Sequence, residues 1–301
     1  MYLVHKFKKE DQTLVEINKS DELYVLINLS EGGRLQSYAL NKVDIIKEMD
    51  DFPYSKSYAS SLLFPFVSRT ENGEYTFEGE SHQLDRNDPE GINALHGLVY
   101  NKTFELVDVD QSNSEIKVQL RYLETNKPKG FPHDYELFVN YTFSKDGMSL
   151  EMRVQNISET RFPFTIGWHP YFYMPDRAKN ALSFDSDQTV LFDEKLITKE
   201  IVDREIPKKI LLENQSFDDC FILKGNKASF ETPQYSIDFR SSAKENFLQI
   251  YTPPNSPIIA IEPMVGLSNS LNNGIGLQVL QPQEAYEIQW TMNIKTFANE
   301  F

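Results

Sequence analysis

Cysteine is nearly absent from the chain. Cys220 is the single copy in 301 residues, so no disulfide can close within it. A lone thiol in apolar surroundings reads as a small core residue rather than a nucleophile. No apolar run approaches the roughly 20 residues of a membrane-spanning helix. The opening MYLVHKFKKEDQTL lacks the apolar centre of a signal peptide. The expected location is the cytoplasm, without membrane contact. Short catalytic signatures are missing too. There is no GxGxxG ahead of a helix, no GxxxxGK followed by Ser or Thr, no HExxH, no GxSxG and no CxxC pair. Their absence removes the local marks of dinucleotide binding, phosphate loops, zinc peptidases, serine hydrolases and thiol chemistry. The five histidines, His5, His82, His96, His133 and His169, are spaced too widely for a local metal pair. Neither a metal nor an organic cofactor is expected.

Positive charge is also scarce. Thirty Lys and Arg against 45 Asp and Glu give a formal net charge of −15. With no basic cluster, such a surface repels phosphate backbones, and nucleic acid is not an expected partner. A neutral small-molecule substrate suits the balance better than a highly anionic one. Linkers rich in Pro, Gly and Ser are lacking, as are fixed-period repeats. A single domain over residues 1–301 is expected.

What is abundant is aromatic: 21 Phe and 15 Tyr, which favour strands. Period-two patterns dominate. In MSLEMRVQ, Met148, Leu150, Met152 and Val154 face one way, and Ser149, Glu151, Arg153 and Gln155 the other. YELFVNYTF places Tyr135, Leu137, Val139, Tyr141 and Phe143 on one face, and SKDG predicts a hairpin between the two runs. SEIKVQLRYL and AYEIQWTMNI alternate likewise. Shorter candidates are TLVEI, ELYVLINL, RLQSYAL, FELVDVD, YSIDF, FLQIYT and IIAIE. No segment pairs a long 3.6-residue stripe with helix caps. The pattern predicts an all-β protein, two extended sheets packed face to face as a large antiparallel β-sandwich. Two regions read as irregular, Ser68 to Leu98 and Pro170 to about Phe217, and such connections suit a binding rim.

Chemistry-bearing residues are dispersed. IIAIEPMVG ends an apolar strand on Glu262, with Pro263 expected to stop the ladder and turn the chain. FDDCFIL offers Asp218 and Asp219, one suited to turn chemistry and the other to ligand binding. His169 lies among aromatics in FTIGWHPYF, and His96 precedes a glycine in NALHGL. Trp168, Phe66 and Phe172 read as core rather than as stacking platforms.

The segments LLFPFVSRTENGEYTFEG, NALHGL, IGWHPYF, FDDCFIL, IAIEPMVGLSNSLNNG and LQPQEAYEIQW occur in an order that resembles the aldose 1-epimerase, or galactose mutarotase, family, over roughly Glu16 to Ile294. The resemblance implies a supersandwich fold and cofactor-free interconversion of the α and β anomers of a free aldose. It implies His169 as general acid and Glu262 as general base. It also implies that His96 donates to the sugar, that Arg69 reaches a hydroxyl, and that Asp219 is the sugar-binding aspartate, with Asp218 as the competing choice. Ser68 stands where the family commonly has Asn. Gln283 replaces a usual Gly, which suggests a turn that does not need a left-handed glycine. The chain is shorter than many galactose mutarotases and looks more like the broad bacterial group of aldose 1-epimerase-like proteins. The alternatives are a hexose-6-phosphate epimerase, which needs further cations such as Arg86, and a non-catalytic carbohydrate-binding protein.

Overall fold

The computed structural model describes residues 1–213 and 215–297, which are almost entirely strands joined in antiparallel ladders. Helix among them is confined to single turns such as Tyr54–Ser57 and Ser270–Asn273. The alternating segments form the strands expected of them. Tyr135–Ser144 and Gly147–Asn156 close a hairpin at Lys145 and Asp146, and every second side chain from Tyr135 to Phe143 is buried.

Two large sheets dominate. A nine-stranded sheet is centred on Glu115–Glu124, Tyr135–Ser144, Gly147–Asn156 and Ala285–Thr296. An eight-stranded sheet contains, side by side, Gln188–Phe192, Asp218–Ile222, Phe247–Tyr251, Ile258–Val265, Ile166–His169 and Ser61–Leu63. The N-terminal strands from Leu3 to Ile46 add a five-stranded sheet beyond the two anticipated. One apolar cluster draws on all three, from Val15 and Tyr38 through Val118, Val139 and Met152 to Ile261 and Trp290. The result is a large antiparallel β-sandwich.

Strand alternation divides the eight-stranded sheet into two unlike faces. Leu62, Trp168, Phe221, Leu248, Ile250 and Ile261 point into the main core. The opposite face carries Cys220, Gln249, Glu262 and His169. Trp168, Phe66 and Phe172 are core residues, as the sequence suggested, and Cys220 is buried at 1% exposure.

Three expectations need correction. The strand through Glu262 does not end there but runs on to Val265, so Glu262 is a mid-strand residue. The ladder to the neighbouring strand lapses between the pairs Gly167–Met264 and Tyr171–Ala260, and Pro263 lies in this gap, where its missing N–H breaks no bond. The two irregular regions are mostly loop but also contain short strands that the sequence reading left out: the first holds Glu74–Phe77 and Glu80–Gln83, the second Ala181–Phe184, Gln188–Phe192 and Thr198–Asp203. Gln283 does adopt the left-handed conformation, at φ 64°, despite the absence of glycine.

Candidate active site

Register builds the site. Cys220 pairs with Gln249, Gln249 with Glu262, and His169 with Ser61. The pairs Gly167–Met264 and Tyr171–Ala260 bracket His169 and set it opposite Glu262. Cys220, Gln249, Glu262, His169 and Ser61 thus form one row across five strands. His169 Nε2 lies 3.5 Å from Glu262 Oε1, and the two residues are 5% and 3% exposed.

A local backbone device brings in His96. The strand pair Ala94–Leu95 and Arg69–Thr70 ends at His96, whose N–H donates to Ser68 O at 2.8 Å. The chain then turns through left-handed His96 (φ 59°) and Gly97 (φ 78°). A Cβ on residue 97 would sit 2.3 Å from Phe64 O, so only glycine fits. His96 and His169 meet edge to face, with ring centroids 4.8 Å apart.

These residues line a cavity of about 630 Å³, within the size range of small-molecule sites. Arg69, His96, His169 and Glu262 are all on its wall. Among the aspartates it is Asp218 that lines the cavity, not Asp219. Strand alternation explains the choice: Asp218 shares the face of Cys220, whereas Asp219 shares that of Phe221, which packs in the core. Arg86 is not on the wall; its Nε donates to Asn72 O at 3.0 Å. The second cation that lines the cavity is Lys56, from the one-turn helix.

Burial governs the electrostatics. It lowers His169 to about 4 and lowers His96 well below the usual histidine value, with the neighbouring His169 and Arg69 charges adding to the effect on His96. It raises Glu262 well above the ordinary carboxylate range, with Asp218 adding and Arg69 opposing. Both members of the His169–Glu262 pair therefore favour their neutral forms. Neutral His with protonated Glu contains the same number of protons as imidazolium with carboxylate. The pair is a one-proton system that can hand that proton from one member to the other. The Nδ1 atoms of His96 and His169 are buried and make no hydrogen bond to the described residues.

The family model for aldose 1-epimerase matches residues 13–293. The chain belongs to that family. It is similar to the uncharacterised protein YihR of Escherichia coli (strain K12), 21% identical over 251 residues, with 77% of this chain and 78% of that protein covered. It is also similar to the chromosomal LacX protein of Lactococcus lactis subsp. lactis, 24% identical over 234 residues, with 71% and 75% covered. A galactose mutarotase-like protein from Clostridium acetobutylicum superposes with a TM-score of 0.87 at 16% identity, over 98% of this chain and 99% of that one. Galactose 1-epimerase from Lactobacillus acidophilus NCFM gives 0.81 at 16% identity over 99% of each chain. At these identities the likeness is one of fold.

This aldose 1-epimerase family member also has cavity residues that sequence reasoning missed. Tyr58 follows the helix Tyr54–Ser57 in a left-handed conformation and sets its ring 5.0 Å from His96. Nothing in PYSKSYASS marks that role. Tyr171 lines the cavity 5.1 Å from the His169 ring, and nothing in the aromatic run around it marks that role. Gln249 had a signal: it is polar between Leu248 and Ile250, so it must face away from the core.

Proposed function

We propose that this chain is a mutarotase, an aldose 1-epimerase acting on a free aldohexose, of the bacterial aldose 1-epimerase-like group and working as one domain. The observation that carries the reading is the cross-strand pair His169–Glu262, buried yet exposed to the cavity and able to share one proton. Anomer exchange needs a base at the C1 hydroxyl and an acid at the ring oxygen. Glu262 as carboxylate takes the C1 hydroxyl proton while His169 as imidazolium protonates the ring oxygen. The ring opens to an aldehyde, leaving protonated Glu262 and neutral His169. Burial favours that protonation state, so it supports the ring-opened stage. Rotation about C1–C2 presents the other carbonyl face. Closure returns the proton to C1 oxygen from Glu262 and the ring hydroxyl proton to His169. Oxidation state never changes, and the scheme calls for no cofactor.

Arg69 and His96 are proposed to bind hydroxyls. Asp218 replaces Asp219 as the proposed sugar-binding aspartate, because it faces the cavity. Lys56 on the same wall is the one observation that favours the alternative, a hexose 6-phosphate. One-dimensional proton NMR with saturation transfer between α and β signals tests the proposal. Exchange above the buffer rate is expected for glucose or galactose. Exchange at the buffer rate for every aldose in the panel would defeat it.

A further inference from the structure

The N-terminal five-stranded sheet buries a full charge. Arg34, at the start of the strand Arg34–Leu40, is 1% exposed. Its Nε donates to Glu31 Oε2 at 2.7 Å, and its Nη2 donates to Glu48 Oε1 at 2.6 Å. Both acids are anchored in turn. Glu31 accepts from the side-chain amides of Gln12 and Asn28, and Glu48 from that of Gln36. The flat guanidinium lies over the ring of Tyr54, with Cζ 4.2 Å from the ring centroid, a cation–π distance.

Stability alone is a poor reason for such a residue. Burying an ion pair costs desolvation, and apolar side chains of similar volume often serve a core as well or better. What arginine adds here is a planar face that stacks on an aromatic ring while carboxylates hold its edge.

Tyr54 leads from that face to the candidate site by two routes. Its hydroxyl donates to Tyr100 O at 2.7 Å and lies 2.8 Å from the hydroxyl of Ser61, the residue paired with His169. Its ring lies 6.3 Å from that of Tyr58, one turn further on, whose N–H donates to Tyr54 O. Tyr58 packs against Tyr100 and His96, with centroids 5.1 and 5.0 Å away. Nδ1 of His96 has no hydrogen bond to the described residues, so that ring depends on packing against Tyr58 and His169 for its orientation.

We propose that Arg34 is a positioning residue for the candidate site: its guanidinium braces Tyr54, and Tyr54 acts through Tyr58 to fix the ring of His96. The expected effect on sugar rests on the reading of the cavity as an aldose site. The N-terminal sheet thereby acts on a cavity that its own strands do not line.

Two measurements test this. The first is the NMR signal of the His96 ring Cε1–H, assigned by its loss in His96→Gln. The second is KM and kcat for anomer exchange of glucose and galactose. Arg34→Met removes the planar cation, and Tyr54→Leu removes the ring it braces. Each is expected to move the His96 signal by more than its line width and to raise KM about three- to tenfold, with kcat within about threefold of wild type. Tyr54→Phe keeps the ring and is expected to restore both readouts. Val25→Ala, in the buried core of the same sheet, lowers stability without touching this stack, and is expected to leave both readouts as in wild type. If Arg34→Met fails to fold by circular dichroism, Arg34→Lys takes its place with the same expectation, because lysine keeps the charge but lacks the flat face. An unmoved His96 signal in the folded Arg34 variant, or an equal movement in Val25→Ala, would overturn the proposal. So would a moved signal with unchanged KM. A wild type that exchanges no anomers overturns the mutarotase reading, and the His96 signal, which needs no sugar, then decides Arg34 alone.

Discussion

His169 and Glu262 shift in opposite directions for one reason: burial disfavours charge on either. The proposed exchange needs one proton on the pair, so kcat/KM is expected to fall in acid near pH 4, where His169 takes up a proton in addition to the one on Glu262. The same shifts set stability. Unfolded glutamate releases its proton near pH 4.3, whereas buried Glu262 keeps it to higher pH. The native state then binds more protons, and Glu262 costs stability increasingly as pH rises through that interval. Glu262→Gln should therefore exceed wild type in urea midpoint by a larger margin at pH 8 than at pH 4. His169 has the opposite slope: between about pH 4 and 6.5 the unfolded state binds the extra proton, so stability rises with pH. For turnover, His169→Asn and Glu262→Gln should each cost about two to four orders of magnitude at saturating sugar. Arg69→Ala should mainly raise KM. Asp218→Asn should raise KM more than Asp219→Asn, because Asp218 is the one on the cavity wall. Near-wild-type turnover in both His169→Asn and Glu262→Gln would defeat the assignment.

At the scale of strands and turns, period two carried most of what was legible. It separates Trp168 from His169 and Ile261 from Glu262, one of each pair inward and the other toward the cavity. Applied to Phe221, the same alternation would have pointed to Asp218. What no local pattern holds is register. The row from Cys220 to Ser61 joins strands up to 201 residues apart in sequence, counting from Ser61 to Glu262. That row is fixed by pairings that only the folded chain makes. Local sequence also misled where long-range pairing overrides it: Pro263 reads as a strand stop yet falls in a lapse of the ladder. Gln283 is the comparable case in a turn. A non-glycine residue in left-handed backbone carries roughly 1 kcal/mol of strain. Gln283→Gly should relieve it, offset in part by the greater freedom of unfolded glycine. The expected change is between zero and about 1 kcal/mol of stabilisation in urea denaturation. Gly97→Ala should go the other way, by at least about 1–3 kcal/mol, because its Cβ meets Phe64 O as well as the positive φ.

For the molecule as a whole, charge argues for the free sugar over its phosphate. A net charge of −15 repels a dianion at long range, an effect that salt screens. Within the cavity, Asp218 and Glu262 are accompanied by two cations, Arg69 and Lys56. Arg69 offers a planar fork, whereas Lys56 is exposed on a single helical turn and keeps its own hydration. A phosphate surrenders a strong water shell and needs several well-placed donors in return. Two cations facing two carboxylates supply too few. The site should prefer neutral aldohexose over its 6-phosphate, and Lys56→Ala should leave kcat/KM for the neutral sugar within about twofold. Measuring kcat/KM for glucose, galactose and glucose 6-phosphate in low-salt buffer, each corrected for uncatalysed exchange, puts this to the test. A tenfold preference for the phosphate, about 1.4 kcal/mol in transition-state stabilisation, would overturn the free-sugar reading. If Lys56→Ala then abolished that preference, it would assign the phosphate to the helical turn and leave the proton exchange between His169 and Glu262 intact.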